Sequence, residues 1–112
     1  MKIITLCGST KFKEEFEEVN EMLTLLGHIV LSVGVFVHSK NVVVSSHQKE
    51  TLDKLHKKKI DLSDEIFVID VNGYVGDSTK GEIDYARSQN KQINYFSDQF
   101  NPYFLKLKQR NN

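Results

Sequence analysis

Residues 66–71 read Ile-Phe-Val-Ile-Asp-Val, a run that is apolar at every position except Asp70. It is too short for a helix of ordinary length, it is rich in β-branched residues, and glycines follow it. These features predict a buried strand. A buried strand requires further strands beside it and other elements covering it, so the rest of the sequence must supply both.

Predicted strands and helices alternate along the chain. The further strands are expected at Ile3–Cys7, Ile29–Val33 and Ile93–Phe96, and the helices at Phe12–Leu26, Gln48–Lys59, Lys80–Asn90 and Pro102–Gln109. Residues 34–46 fit a loop, an extra hairpin or a lid equally well. Because alternation requires crossover connections, the sequence predicts a three-layer α/β domain of the Rossmann or flavodoxin-like type, with a short parallel sheet and helices on both faces.

The helix boundaries are predicted from local signals. In the first helix, apolar residues recur every three or four positions, with Ser9 or Thr10 as the expected N-cap and Gly27 as the C-terminal stop. In the second helix, Leu52 and Leu55 are expected on the inner face.

Length, charge and cysteine content narrow the functional classes. The 112 residues suit a single domain spanning 1–112, and 15 basic residues balance 15 acidic ones, which gives no reason to expect nucleic acid or a membrane as partner. Cys7 is the sole cysteine, which rules out an intrachain disulfide, and the four histidines show no metal-ligand spacing, so we predict no metal and no cofactor. The short apolar run at the start does not suit a signal peptide, so the expected location is the cytoplasm.

Two loops should meet beyond the carboxyl ends of the strands, where ligands bind in open α/β sheets. The first contains Gly8, Ser9, Thr10 and Lys11 and leads directly into a helix. Free N–H groups at the helix start, with the charge of Lys11, suit an anion such as phosphate. Simple capping by Ser9 or Thr10 is the alternative.

The second loop follows the buried strand and carries Ser78, Thr79 and, one turn into the next helix, Glu82. Ser78 is the expected N-cap. The Glu82 carboxylate would face the mouth of the sheet, where it could act as nucleophile or general base. Alternatively, it is only a favourable negative charge near a helix start.

Both loops belong to a set of motifs that extends over most of the chain. The motifs are Cys7-Gly8-Ser9 followed by Lys11, Ser63-Asp64 before the strand at 65–69, Gly81-Glu82 followed by Ala86, and the turn and strand at 91–96. With them, the sequence resembles the nucleoside 2-deoxyribosyltransferase-like family, which includes the 2′-deoxynucleoside 5′-phosphate N-hydrolases.

The resemblance implies roles for the loop residues. Glu82 would attack the anomeric carbon of a (deoxy)ribose, displace the base and form a glycosyl ester that water or a second base resolves. Gly8, Ser9, Thr10 and Lys11 would hold the sugar end or its 5′-phosphate, and Ser78 and Thr79 would bind sugar hydroxyls or phosphate. It also implies a homodimer or larger homo-oligomer, for which 103–105 could supply an apolar contact.

The sequence departs from the family pattern at two places. His56 stands where the family has an acid that assists the leaving base; it could replace that acid or be a surface histidine, the commoner case. Asp61 could substitute for the acid, or it could pair with Lys57 or Lys58. Lys80 occupies a position where the family has glycine.

Three functions remain open on these residues. The first is an N-glycosidase or deoxyribosyl transferase acting on a nucleoside or nucleoside 5′-monophosphate. The second is a non-catalytic nucleotide-binding protein, such as a sensor or sequestering protein, suggested by the missing acid at position 56. The third is a structural or oligomeric protein whose loops only cap helices.

Overall fold

The computed structural model describes residues 1–98, so the predicted helix at 102–109 and the apolar residues at 103–105 lie outside the described part. In chain order the elements are β1 (Ile3–Gly8), α1 (Lys13–Leu25), β2 (Ile29–Leu31), α2 (Val37–Lys40), α3 (Ser46–Leu62), β3 (Glu65–Ile69), α4 (Asp77–Ser88) and β4 (Gln92–Tyr95). Within residues 1–98, no helix combines the length and the apolarity that crossing a bilayer requires.

The four strands form one sheet in the order β2-β1-β3-β4, and every neighbouring pair is parallel. This confirms the predicted α/β class with a short parallel sheet. The order is the one found at the start of flavodoxin-like sheets, in which the chain reverses its direction of growth between β1 and β3.

The helices cover both faces of the sheet. Successive side chains of a strand point to opposite sides, so each strand contributes apolar side chains to both faces. On one face, Ile4 and Leu6 of β1 join Phe67 and Ile69 of β3 in a buried cluster with α1. The α1 members of this cluster are Phe16, Val19, Met22 and Leu23.

On the other face, Cys7 of β1 joins Ile66 and Val68 of β3 in a second cluster. Its helical members are Ile60 from α3 and Ile83 and Ala86 from α4. Since α1 and α4 leave neighbouring strands toward opposite faces, a crevice opens between the carboxyl ends of β1 and β3.

Both predicted N-caps are wrong. Helix α1 starts one residue after Phe12, and α4 starts after Gly76; neither N-cap residue makes a side-chain capping bond. Ser9 and Thr10 stay in the preceding turn, where the Ser9 carbonyl accepts from the Phe12 N–H at 3.1 Å. Ser78 lies inside the first turn of α4. Gly27 follows the end of α1 with a φ of 93°, as expected for a C-terminal stop.

The inner face of α3 also differs from the prediction. Its buried residues are His56 and Ile60, whereas Leu55 is 52% exposed and Leu52 is half-buried. His56 and Ile60 are four residues apart and therefore share the side that packs on the sheet.

The end of the strand predicted at 66–71 also differs from the prediction, because β3 stops at Ile69. The Asp70 carboxylate instead accepts hydrogen bonds from the backbone N–H and the hydroxyl of Ser97.

Residues 34–46 form a loop that contains the one-turn helix α2, and no hairpin. Thr10 ties this segment to the β1–α1 turn. Its hydroxyl lies 2.6 Å from His38 Nδ1 and accepts from the His38 N–H, and its carbonyl accepts from the Ser39 hydroxyl at 2.7 Å. Near the end of the segment, Ser45 is the N-cap of α3 and forms a capping box with Gln48.

Candidate functional site

A pocket of about 470 Å³ lies at the carboxyl ends of β1 and β3. This volume is within the range of small-molecule sites. Most of the site residues expected from the sequence line it: Gly8, Ser9, Thr10, His56, Ser78, Thr79 and Glu82. Lys11 and Asp61 do not.

The lining of the pocket combines apolar and polar side chains. Residues from the 33–44 segment and from the outer part of α3 supply the apolar wall, namely Val33, Val35, Val37, Val44, Leu52 and Leu55. The β1–α1 turn, the start of α4 and the inner side of α3 supply hydroxyl, imidazole and carboxyl groups. Such a combination suits a ligand with one apolar part and one part rich in oxygen.

Gly8 allows the first loop to turn at the end of β1. A Cβ atom at this position would lie 2.9 Å from the carbonyl oxygen of Ile69 and 3.3 Å from the ring of Phe16. A side chain there would therefore push β1 away from β3 or α1. The glycine keeps the turn close to the end of β3, beside the second loop.

The start of α4 contributes backbone groups to the pocket. Gly76, the N-cap, and the first-turn residues Asp77, Ser78 and Thr79 all line it. The first N–H groups of a helix have no partner within the helix. Since no side chain of the N-cap satisfies them here, they are available to an oxygen-rich ligand.

Glu82 lies in the second turn of α4, and 21% of its side chain is exposed. Its Oε1 is 3.7 Å from Nε2 of His56, which is 3.4 Å from the buried Sγ of Cys7. One ligand atom from each of the three residues lies within 4.8 Å of the other two, so these side chains could hold a metal ion. The surface-histidine interpretation of His56 is wrong.

Burial dominates the electrostatics of this cluster. It raises the pKa of Glu82 to about 7, with the charge of Asp53 acting in the same direction. Burial, followed by the positive charge of Lys59, lowers the pKa of His56 to about 4. Burial, followed by the charge of Glu82, raises the pKa of the Cys7 thiol well above its usual range. His56 is therefore neutral at neutral pH, and its contact with Glu82 is not an ion pair.

Lys11 points to an aromatic pair beside the pocket. Its Nζ lies 3.5 Å from the ring centroid of Tyr74 and 5.2 Å from that of Phe12. The two rings meet edge to face, with centroids 5.9 Å apart. Lys11 therefore holds Tyr74, which lines the pocket and is 47% exposed, by a cation–π contact.

Asp61 lies on the exposed side of α3, where its carboxylate accepts a hydrogen bond from the Tyr85 hydroxyl and its carbonyl accepts from Lys91. Neither Lys57 nor Lys58 forms an ion pair with it within 4.0 Å among the described residues. The structure thus gives Asp61 a contact between α3 and α4 instead of a place in the pocket.

Among the residues at the site that sequence reasoning missed are Cys7, Lys49, Asp53 and Tyr74. Helical spacing could have indicated Asp53, which lies one turn before His56, and Lys49 lies one turn before Asp53. Strand alternation could have indicated Cys7, which shares the α3 and α4 side of the sheet with Val68. No sequence signal marks Tyr74 beyond its place in the loop after β3.

No protein-family model, no curated protein and no solved structure matches the chain. The resemblance that the motifs suggest therefore stays a prediction, and the chemistry of the site has to be argued from its own geometry.

Proposed function

We propose that this protein is an N-glycosidase or deoxyribosyl transferase that cleaves the N-glycosidic bond of a nucleoside or a nucleoside 5′-monophosphate. The observation that carries the proposal is the position of Glu82, whose carboxyl group opens into the same pocket as the Gly8–Thr10 turn and the start of α4. A nucleophilic carboxyl group, a cradle for an anion and an apolar wall are what such a substrate requires.

Each part of the substrate has a matching part of the pocket. The sugar and its 5′-phosphate would bind at the two loops, where backbone N–H groups and hydroxyls of Ser9, Thr10 and Ser78 supply hydrogen bonds. The base would lie along the apolar wall, with the ring of Tyr74 at its edge. The anomeric carbon would then lie next to Glu82.

The reaction would proceed by two displacements. A carboxylate oxygen of Glu82 forms a bond to the anomeric carbon while the bond to the base breaks, and the base keeps the electron pair and takes a proton from solvent. Water, or the nitrogen of another base, then attacks the same carbon and releases Glu82. The neutral imidazole of His56, whose Nε2 lies 3.4 Å from Cys7 Sγ and 3.7 Å from Glu82 Oε1, would pack beside the carboxylate.

A second candidate function is nucleotide binding without turnover. It is favoured by the residue at position 56, where the family resemblance expects a carboxylic acid and this chain has histidine. A sensor or sequestering protein would need the two loops and the apolar wall but not a proton donor for the leaving base.

Base release from a panel of nucleosides and nucleoside 5′-monophosphates tests the proposal. We expect free base from at least one of them, and a loss on the order of a thousandfold or more in Glu82→Gln. The matched control is Asp84→Asn, which changes an exposed carboxylate on the same helix and should release base at the parent rate.

The assay is run with a chelator present, and calorimetric binding is measured in parallel. Binding of a monophosphate without any base release would favour the second candidate. Release that is the same in Glu82→Gln as in the parent would refute Glu82 as the nucleophile.

A further inference from the structure

We propose that Cys7, His56 and Glu82 form a binding site for a zinc-like divalent cation at the base of the pocket. The site goes beyond the proposed function, which requires no metal. It rests on the convergence of one sulfur, one nitrogen and one oxygen ligand from three separate elements, β1, α3 and α4.

The distances between the ligand atoms suit tetrahedral coordination. Cys7 Sγ and His56 Nε2 are 3.4 Å apart, and His56 Nε2 and Glu82 Oε1 are 3.7 Å apart. Zinc bonds of about 2.0 to 2.3 Å place neighbouring ligands of a tetrahedron about 3.3 to 3.8 Å apart. The atoms of the third pair, Cys7 and Glu82, lie within 4.8 Å of each other, so a small approach closes the triangle.

The ligand types select the class of cation. Magnesium and calcium prefer oxygen ligands, whereas a thiolate with an imidazole and a carboxylate suits zinc and its neighbours in the first transition series. A divalent cation would bind with a thiolate, a carboxylate and a neutral imidazole, so the complex carries no net charge. Neutrality matters here, because Cys7 and His56 are buried and an uncompensated charge there is costly.

The charged groups near His56 have opposite effects on the binding of a cation. Lys59 disfavours a cation near His56, but its Nζ donates to the Ser32 carbonyl at 2.7 Å, and the carboxylate of Asp53 contributes the opposite sign. On binding, the Cys7 thiol releases its proton to solvent as sulfur bonds to the metal.

Three protein ligands leave a fourth position for water, as in catalytic zinc sites. Because His56 and Glu82 line the pocket, that position can be reached from it. The metal and the sugar would use the same carboxylate of Glu82, so the two uses exclude each other. Base release in chelator and metal binding without nucleotide are therefore independent measurements, and either proposal can fail alone.

Titration of the chelator-treated full chain with Co²⁺, followed by absorption spectroscopy, tests the site. We expect one equivalent to bind with the thiolate-to-cobalt charge-transfer band of a cysteine ligand, and Zn²⁺ to displace it. Cys7→Ser should remove the band. Glu82→Gln should weaken Co²⁺ binding by about tenfold to a hundredfold or more, since even loss of an outer partner has an effect of that size.

His47→Gln is the control, because His47 is an exposed histidine on the same helix as His56 and lies outside the pocket lining. It should bind Co²⁺ like the parent. The proposal is overturned if the parent shows no charge-transfer band, if Glu82→Gln binds Co²⁺ as tightly as the parent, or if His47→Gln loses binding. If Cys7→Ser does not fold, the Glu82→Gln variant still decides the test, because Glu82 is only half-buried and its substitution disturbs the core less.

Discussion

The two faces of the sheet differ in what they bury. The face under α1 has a cluster of eight buried apolar residues, whose helical part consists of Phe16, Val19, Met22 and Leu23. The face under α3 and α4 buries Cys7 and Ile60 together with polar groups, among them Thr5, His56 and Ser63. The first face also buries Glu65, whose carboxylate pairs with Lys2, but the pocket and its cluster of Cys7, His56 and Glu82 belong to the second face.

The difference has a cause in the topology. Helix α1 crosses from β1 to the edge strand β2, while α3 and α4 flank the central strand β3. The crevice at the ends of β1 and β3 therefore extends under α3 and α4, and the inner sides of these helices contribute His56 and Glu82 to its lining. Polar groups are tolerated there because hydrogen bonds satisfy them.

We expect the largest difference in the free energy of unfolding between two Leu→Ala variants, one on each face of the sheet. Leu23→Ala removes a fully buried side chain under α1, and we expect a loss of about 2–5 kcal/mol in the free energy of unfolding. Leu55→Ala removes a half-exposed side chain at the rim of the pocket and should change it by no more than about 0.5 kcal/mol. Urea denaturation measures both. Equal losses would show that Leu55 packs inward, as its spacing in the sequence suggested.

Gly8→Ala tests the junction between the two faces. The added Cβ would meet the Ile69 carbonyl and the Phe16 ring, so we expect a loss of about 1–3 kcal/mol by the same denaturation measurement. Gly81→Ala is the matched control: nothing lies within 4 Å of its added Cβ, and it occupies α4. That variant should gain about 0.4–1 kcal/mol. A Gly8→Ala protein as stable as its parent would contradict the close approach of β1 to the end of β3.

Thr5→Val should have the smallest effect, and it probes the polar part of the second face. The Thr5 hydroxyl is buried, donates to the Lys59 carbonyl at 3.0 Å and contacts the Ser63 hydroxyl, so its loss should lower the free energy of unfolding by about 1 kcal/mol. The control is Thr24→Val on α1, whose hydroxyl bonds to Asn20 at the surface. If both variants lose the same amount, the buried network contributes nothing specific.

Much of the fold follows from hydrophobic patterning. The alternation of predicted strands with predicted helices indicated the parallel α/β sheet, and the run at 66–71 was its clearest strand, because burial on both sides leaves a strong signal in the sequence. Ends of elements were harder to place. Ser9 and Ser78 are good N-cap residues in isolation, yet the turn that Gly8 permits and the early start of α4, whose N-cap is Gly76, displace both from that position.

The candidate site was predictable where it depends on local order. Residues of the β1–α1 turn and Glu82 follow strand ends directly, so the parallel topology alone brings them to one edge. Whether a residue of α3 belongs to the site depends instead on which side of the helix faces the sheet. Two leucines suggested the wrong side, and this hid the burial of His56 and left Cys7 without an evident partner.

The bonds of Thr10 have a consequence for ligand entry. One hydroxyl oxygen contacts both the ring and the backbone of His38, and the neighbouring carbonyl accepts from Ser39, so Thr10 fastens the 34–46 segment to the β1–α1 turn. Any ligand oxygen that hydrogen-bonds to Thr10 must share this hydroxyl with His38. Recognition of the ligand and adjustment of the 34–46 segment are thus one thermodynamic event, and affinity will include the free energy of rearranging that fastening.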